Sequence, residues 1–151
     1  MSFHIKKLFE RDFERYEGVR RINVYLMRVL YFLMATFLAL DVWSYVLSHQ
    51  GAWEPNRAMA WSVWAAFSTL AILGVFHPVK MIPILLLEIF YKSMWLLLVA
   101  YPLWRVGKLA GSPAEGETYV FLPVVVVILI IPWGYVFKTY VVNLAAWQRP
   151  K

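Results

Sequence analysis

The chain of 151 residues contains no cysteine, which removes disulfides, iron–sulfur clusters and cysteine-ligated zinc and leaves the redox compartment open. Its three histidines, His4, His49 and His77, fall in an N-terminal segment and in two different loops. No two of them have a metal-ligand spacing such as HxxxH, so no metal site is expected. The signatures GxxxxGK[ST], GxSxG and HExxH are absent too, and with them the usual announcements of an NTPase, a serine hydrolase or a metalloprotease. No catalytic residue and no cofactor is indicated. Charge is also scarce: 16% of residues are charged, where an ordinary soluble domain carries about 25%.

What fills the chain instead is apolar. It is 62% hydrophobic with a mean hydropathy of +0.60, and the apolar residues come in long runs rather than in the alternating faces of a soluble core. A hydrocarbon core of about 30 Å needs roughly 20 helical residues to cross it. Four stretches qualify, at about 23–47, 58–76, 81–104 and 118–142. Neither 58–76 nor 118–137 contains a charged residue. The fold class expected is therefore an all-α integral membrane protein, with four transmembrane helices in a small bundle spanning 23–147. A cytoplasmic segment precedes it at 1–22 and a short cytoplasmic tail follows at 148–151.

The basic residues give the expected orientation. Of the fifteen Lys and Arg, eleven lie on one side of an even number of crossings: Lys6, Lys7, Arg11, Arg15, Arg20, Arg21, Arg28, Lys80, Lys138, Arg149 and Lys151. Only Arg57, Arg105 and Lys108 fall on the other side. Positive charge accumulates on the cytoplasmic side of membrane proteins, so both termini are expected there, with the bacterial inner membrane as the host. In a chain this apolar, the net charge of +6 marks a membrane rim rather than a nucleic-acid surface. The tryptophans and tyrosines agree: Trp43, Tyr45, Trp53, Tyr101, Trp104 and Tyr119 gather at the outer interface, Tyr140 and Trp147 at the inner one. Trp61, Trp64, Trp95 and Trp133 lie deeper and fit anchoring less well.

Phe3 to Arg21 reads as an amphipathic helix. Ile5, Leu8, Phe9, Phe13 and Tyr16 recur every three or four residues, with charged residues between them. Such a helix lies in the cytoplasmic interface, its basic residues Lys6, Lys7, Arg11, Arg15, Arg20 and Arg21 near anionic lipid head groups. Gly18 supplies a bend into the first span. The loops are short, and His77-Pro78-Val79-Lys80 permits only an antiparallel hairpin. In the second span, Ser62, Ala65, Ala66, Ser68, Thr69, Ala71 and Gly74 make a small-residue face suited to close helix packing. Pro123 and Pro132 are expected to bend the fourth span.

Three residues stand out because charge within a membrane span is costly, at least about 2.5–3.5 kcal/mol each. Glu88 and Lys92 are four apart, on one face of the third span and in the favourable order for a helical ion pair; Tyr91 and Trp95 flank them. Asp41 lies at comparable depth in the first span. Arg28 is about 140° around that helix from Asp41, and so is not on its face. Two acids with one lysine predict a charge-balanced group centred on Lys92, either structural or a site for a proton, a cation or an amine-bearing ligand. Three functions remain open: an oligomeric channel, transporter or ligand-binding protein; an accessory or scaffold subunit of a larger membrane complex; or an enzyme acting on lipid or quinone through Glu88, Lys92 and His77.

Overall fold

The computed structural model describes residues 8–142. Lys6, Lys7, Ile5, Trp147, the tail at 148–151 and the start of the 1–22 segment lie outside the described residues. The chain divides into two compact units, one made of Met1–Ile84 with Pro132–Lys151, the other of Leu85–Ile131.

The first unit opens with a departure from the expected helix. Strands β1, Arg11–Asp12, and β2, Val19–Arg20, pair antiparallel, with Arg11 opposite Arg20 and Asp12 opposite Val19. Between them runs a single helical turn, α1, Phe13–Tyr16. Periodicity alone misses this because it ignores the capping groups. Asp12 takes the N-cap, its Oδ1 accepting from the backbone N–H of Arg15 at 3.0 Å and its Oδ2 from Arg21 Nε at 3.0 Å. Glu17 and Gly18 then turn left-handed, with φ of 54° and 83°, and Gly18 donates back to the Asp12 carbonyl at 2.9 Å. Once both ends of a single turn are satisfied, continuing the helix gains nothing there. The guanidinium of Arg21 completes an ion pair with Asp12, and the apolar Phe9 and Phe13 remain exposed.

Three long helices follow: α2 Arg21–Ser48, α3 Pro55–Phe76 and α4 Ile82–Arg105, each long and apolar enough to cross a membrane. A π-helical turn at Met34–Leu38 interrupts α2. Helix α3 starts three residues earlier than its apolar run, because Glu54 caps it, accepting from the N–H groups of Asn56 and Arg57 at 3.0 and 2.6 Å. Pro55 sits at the first helical position, where its missing N–H costs nothing.

Helices α2 and α3 pack face to face. On α2 the buried residues Val24, Met27, Tyr31 and Met34 recur at three- and four-residue intervals; on α3 Ala65, Ser68, Ala71 and Gly74 do the same, with Phe67 buried beside them. Of the small-residue face expected of this segment, Ala65, Ser68, Ala71 and Gly74 are buried, whereas Ser62, Ala66 and Thr69 stay exposed. The closest approach is between Gly74 and Tyr31, where a Cβ on Gly74 would stand 2.3 Å from the tyrosine ring. Tyr31 is fully buried, and its hydroxyl donates to the Pro78 carbonyl at 3.3 Å. Nearer the other end of the pair, Trp43 Nε1 donates to Thr69 Oγ1 at 3.1 Å.

The second unit contains most of α4, which carries a π-helical turn at Leu96–Ala100, then α5, Ala114–Phe121, and α6, Val124–Ile130. Expected as one kinked span, the fourth apolar run is in fact divided twice. Leu122 and Pro123 form a turn between α5 and α6. After α6, Ile131 is extended with ψ of 131°, and Pro132 is non-helical with ψ of 76°. A proline withdraws a helical donor, clashes with the preceding turn and pushes the residue before it toward extended geometry. The chain resumes as α7, Trp133–Val142, which belongs to the first unit. Three helices are thus long and apolar enough to span a membrane, or four where the helices on either side of Pro132 count as one broken span.

Candidate functional site

Glu88 and Lys92 project from one face of α4 because they are four residues apart, and they meet: Lys92 Nζ donates to Glu88 Oε1 at 2.7 Å. Lys92 lies ten residues beyond the start of α4, about 15 Å along its axis and near the middle of a 24-residue helix. Both side chains are enclosed, at 14% exposure for the lysine and 8% for the glutamate.

Aromatic rings make the surroundings. The Lys92 ammonium stands 5.7 Å from the centre of the Phe121 ring, whose negative face attracts it. Tyr91 and Trp95 both present to Phe121 edge on, with ring centres 5.7 and 5.0 Å away. Phe121 is therefore the hub of the site: one ring from α5 meets Lys92 and both flanking aromatics of α4. Sequence reasoning named Tyr91 and Trp95 but missed Phe121, since nothing in the sequence marks which ring of another helix packs there. The contact also accounts for the depth of Trp95, which packs internally rather than anchoring.

The pair leaves one polar atom over. Glu88 Oε2 is buried and accepts no hydrogen bond from any described residue. A carboxylate oxygen without a donor in such a place is expensive, of the order of 1–3 kcal/mol or more for a charged group. It is also a ready acceptor for a proton, for the N–H of an amine or for a cation.

Asp41, the third member of the expected group, lies in the other unit. Its residue is exposed on α2 and forms no ion pair with a described residue. It stands seven residues from the Ser48 end of the helix, about 10 Å. Among the expected membrane-surface residues, Arg11 and Arg20 face each other across the β1–β2 pair, Arg15 is exposed beside it, and Arg21 holds Asp12. The N–H of Arg15 foremost, and then the Arg21 side chain, hold the Asp12 carboxyl below its ordinary value, against the opposing effect of burial. His77 caps the C-terminal end of α3.

A second cluster also escaped the sequence. Tyr45 stacks on Trp61 with ring centres 4.0 Å apart, meets Trp53 edge on, and carries the Arg57 guanidinium 5.3 Å from its centre; His49 stacks on Trp53 at 3.7 Å. Trp61 and Trp53 together with Trp43 line an apolar groove of about 720 Å³ along α2 and α3. Among the described residues, no group of three or more His, Asp or Glu side chains is placed to hold a metal ion.

Comparison with models of protein families, with curated proteins and with solved structures finds no match.

Proposed function

We propose that the chain is a multi-pass membrane protein that binds and moves a proton, a small cation or an amine-bearing solute at the Glu88–Lys92 pair, and that it does so as a homo-oligomer. The observation that carries this reading is the buried, unpartnered Oε2 of Glu88. Lys92 already neutralises the carboxylate, so the second oxygen adds nothing to the ion pair. It can take a further proton or donor, and binding there competes with the lysine for the same charge. Four helices enclose little volume between them, which is the reason to expect assembly around a shared path.

The topology we infer has both termini cytoplasmic, with α2, α3 and α4 as the first three crossings. Tyr135 donates to Glu17 Oε2 at 2.7 Å, so the two residues share one side of the membrane and the chain between them crosses an even number of times. Three crossings precede Ala114. We assign the fourth to the broken helix made of Ala114–Ile130 and Trp133–Val142, which are long and apolar enough to cross only when taken together. On this reading α7 completes the fourth crossing and ends on the cytoplasmic side beside the N-terminal turn, where the exposed Phe9, Phe13 and Phe137 enter the lipid and the neighbouring basic residues meet anionic head groups. The bacterial inner membrane, whose cytoplasmic face such positive residues would follow, is the proposed host.

Proteoliposomes with a pH-sensitive dye and an imposed potential test the assignment. Wild-type protein should carry current and Glu88→Gln should abolish it. Lys92→Met, which strands a buried acid, should harm stability more than Glu88→Gln or Asp41→Asn, and the double variant Lys92→Met/Glu88→Gln should recover part of it. Flux that survives every variant while stability falls would make the pair structural and favour an accessory subunit instead.

A further inference from the structure

Beneath α3 on the proposed cytoplasmic side, the N-terminal turn and the α3–α4 hairpin enclose a cleft of about 110 Å³, lined by Arg15, Tyr16, Glu17, Phe76, His77 and Lys80. Two of the lining residues are cations, and neither makes an ion pair with a described residue. A third stands behind them: the Arg28 guanidinium lies 5.9 Å from the centre of the Tyr16 ring. Its Nε is buried and donates to no described residue. The one acid in the lining, Glu17, is engaged by the Tyr135 hydroxyl.

A plainer role for these cations is to offset the partial negative charge at the C-terminal end of α3. That end amounts to about half an elementary charge, and three cations against one acid exceed it by more than a unit. The surplus calls for an anion. Size narrows the choice: with about 30 Å³ for a water molecule in the liquid, the cleft takes something the size of a phosphate group and no more. Phe76 at its edge is 67% exposed and offers apolar surface to whatever the phosphate is attached to.

We propose that this cleft binds the phosphate of an anionic phospholipid head group, with Arg15 and Lys80 on its oxygens, Arg28 supporting through Tyr16, and the acyl chains running past Phe76. The site differs from the diffuse attraction of a basic rim, since it is one cleft with defined cations. It rests on the topology proposed above and is independent of the Glu88–Lys92 assignment.

Native mass spectrometry of the full chain in mild detergent, with equal amounts of dioleoyl phosphatidylglycerol and dioleoyl phosphatidylcholine, reads the site directly. Wild-type protein should retain phosphatidylglycerol in preference. Arg15→Gln/Lys80→Gln should cut that preference about tenfold or more, whereas Arg105→Gln/Lys108→Gln, which removes equal charge elsewhere, should leave it intact. Both substituted pairs are exposed, and Lys80→Gln alone gives a second measurement of the same kind. Equal retention of the two lipids, or equal losses in both double variants, overturns the proposal. So does full competition by millimolar inorganic phosphate, which would mark a site for the free anion. Labelling of Lys80→Cys by a reagent confined to the outside would instead overturn the topology.

Discussion

Replacing Gly74 by alanine adds one methyl group at the tightest point between α2 and α3. Built on the existing backbone, its Cβ stands 2.3, 2.4 and 2.6 Å from Cδ1, Cγ and Cε1 of Tyr31. Ordinary contact begins near 3.4 Å, so about 1 Å of movement is required. The atom Cγ is the root of the ring, so no rotation of the ring relieves the clash, and Tyr31 is fully buried and held at its hydroxyl by Pro78. The helices must separate, which loosens Met27, Val24 and Ala71 as well. Overpacking of this kind costs about 1–3 kcal/mol, while alanine gains at most about 1 kcal/mol in helix propensity. Packing wins, and Gly74→Ala should destabilise by roughly 1–2 kcal/mol. A double-mutant cycle with Tyr31→Ala, followed by reversible unfolding in mixed detergent micelles, isolates the contact. In the Tyr31→Ala background the same substitution should be neutral or slightly favourable. An unchanged cost in that background would refute the argument, and so would a Gly74→Ala variant as stable as the wild type.

Two further outcomes follow from the capping groups. The Asp12 carboxyl is held below its ordinary 3.8 by the Arg15 N–H and then by Arg21. Its contribution is therefore complete above that value and lost as pH falls through the lower, folded one. Amide exchange at Gly18 and Val19 should accelerate selectively in that acid window, and Asp12→Asn should show the faster exchange at neutral pH. Glu54 is likewise held below its ordinary 4.5 by the N–H groups of Asn56 and Arg57, so Glu54→Ala should fray the first turn of α3, read as faster amide exchange from Asn56 to Met59 with the rest of the helix unchanged.

The first three long helices were legible because their apolar runs are long enough to outweigh the π-helical turns in α2 and α4, and only their ends moved, where Glu54 and Pro55 set the start of α3 in place of the first apolar residue. The N-terminal segment was misread for the complementary reason. Its apolar period is helical, but Asp12 and Gly18 offer the backbone better local partners than another turn would, and period counting does not weigh them. Pro123 and Pro132 are expected to bend the fourth run; the helix is broken and sharply bent at Pro132 and interrupted by a turn at Pro123. At the site, the spacing of Glu88 and Lys92 sufficed to place them together, since an i, i+4 pair is decided within one helix. Phe121, and the meeting of Arg15 with Lys80 in one cleft, depend on contacts across long stretches of chain and left no local trace.

That same locality bears on what the Glu88–Lys92 pair is for. A buried ion pair retained to fix helix order has to join two helices, because only then does a wrong arrangement strand a charge. Here both partners belong to α4, so the bond is made as soon as α4 forms and holds equally well in any packing. It therefore selects no neighbour and no register. Nor does it stabilise α4 to any purpose, for an exposed pair of this kind is worth only about 0.3–0.5 kcal/mol; enclosed, it bears a desolvation cost that two apolar residues would avoid. The pair does one thing that apolar residues cannot. It keeps a carboxylate inside a long apolar helix at low net charge, with one oxygen committed to Lys92 and the other left to accept, and this is the condition a proton or amine site in such a place requires.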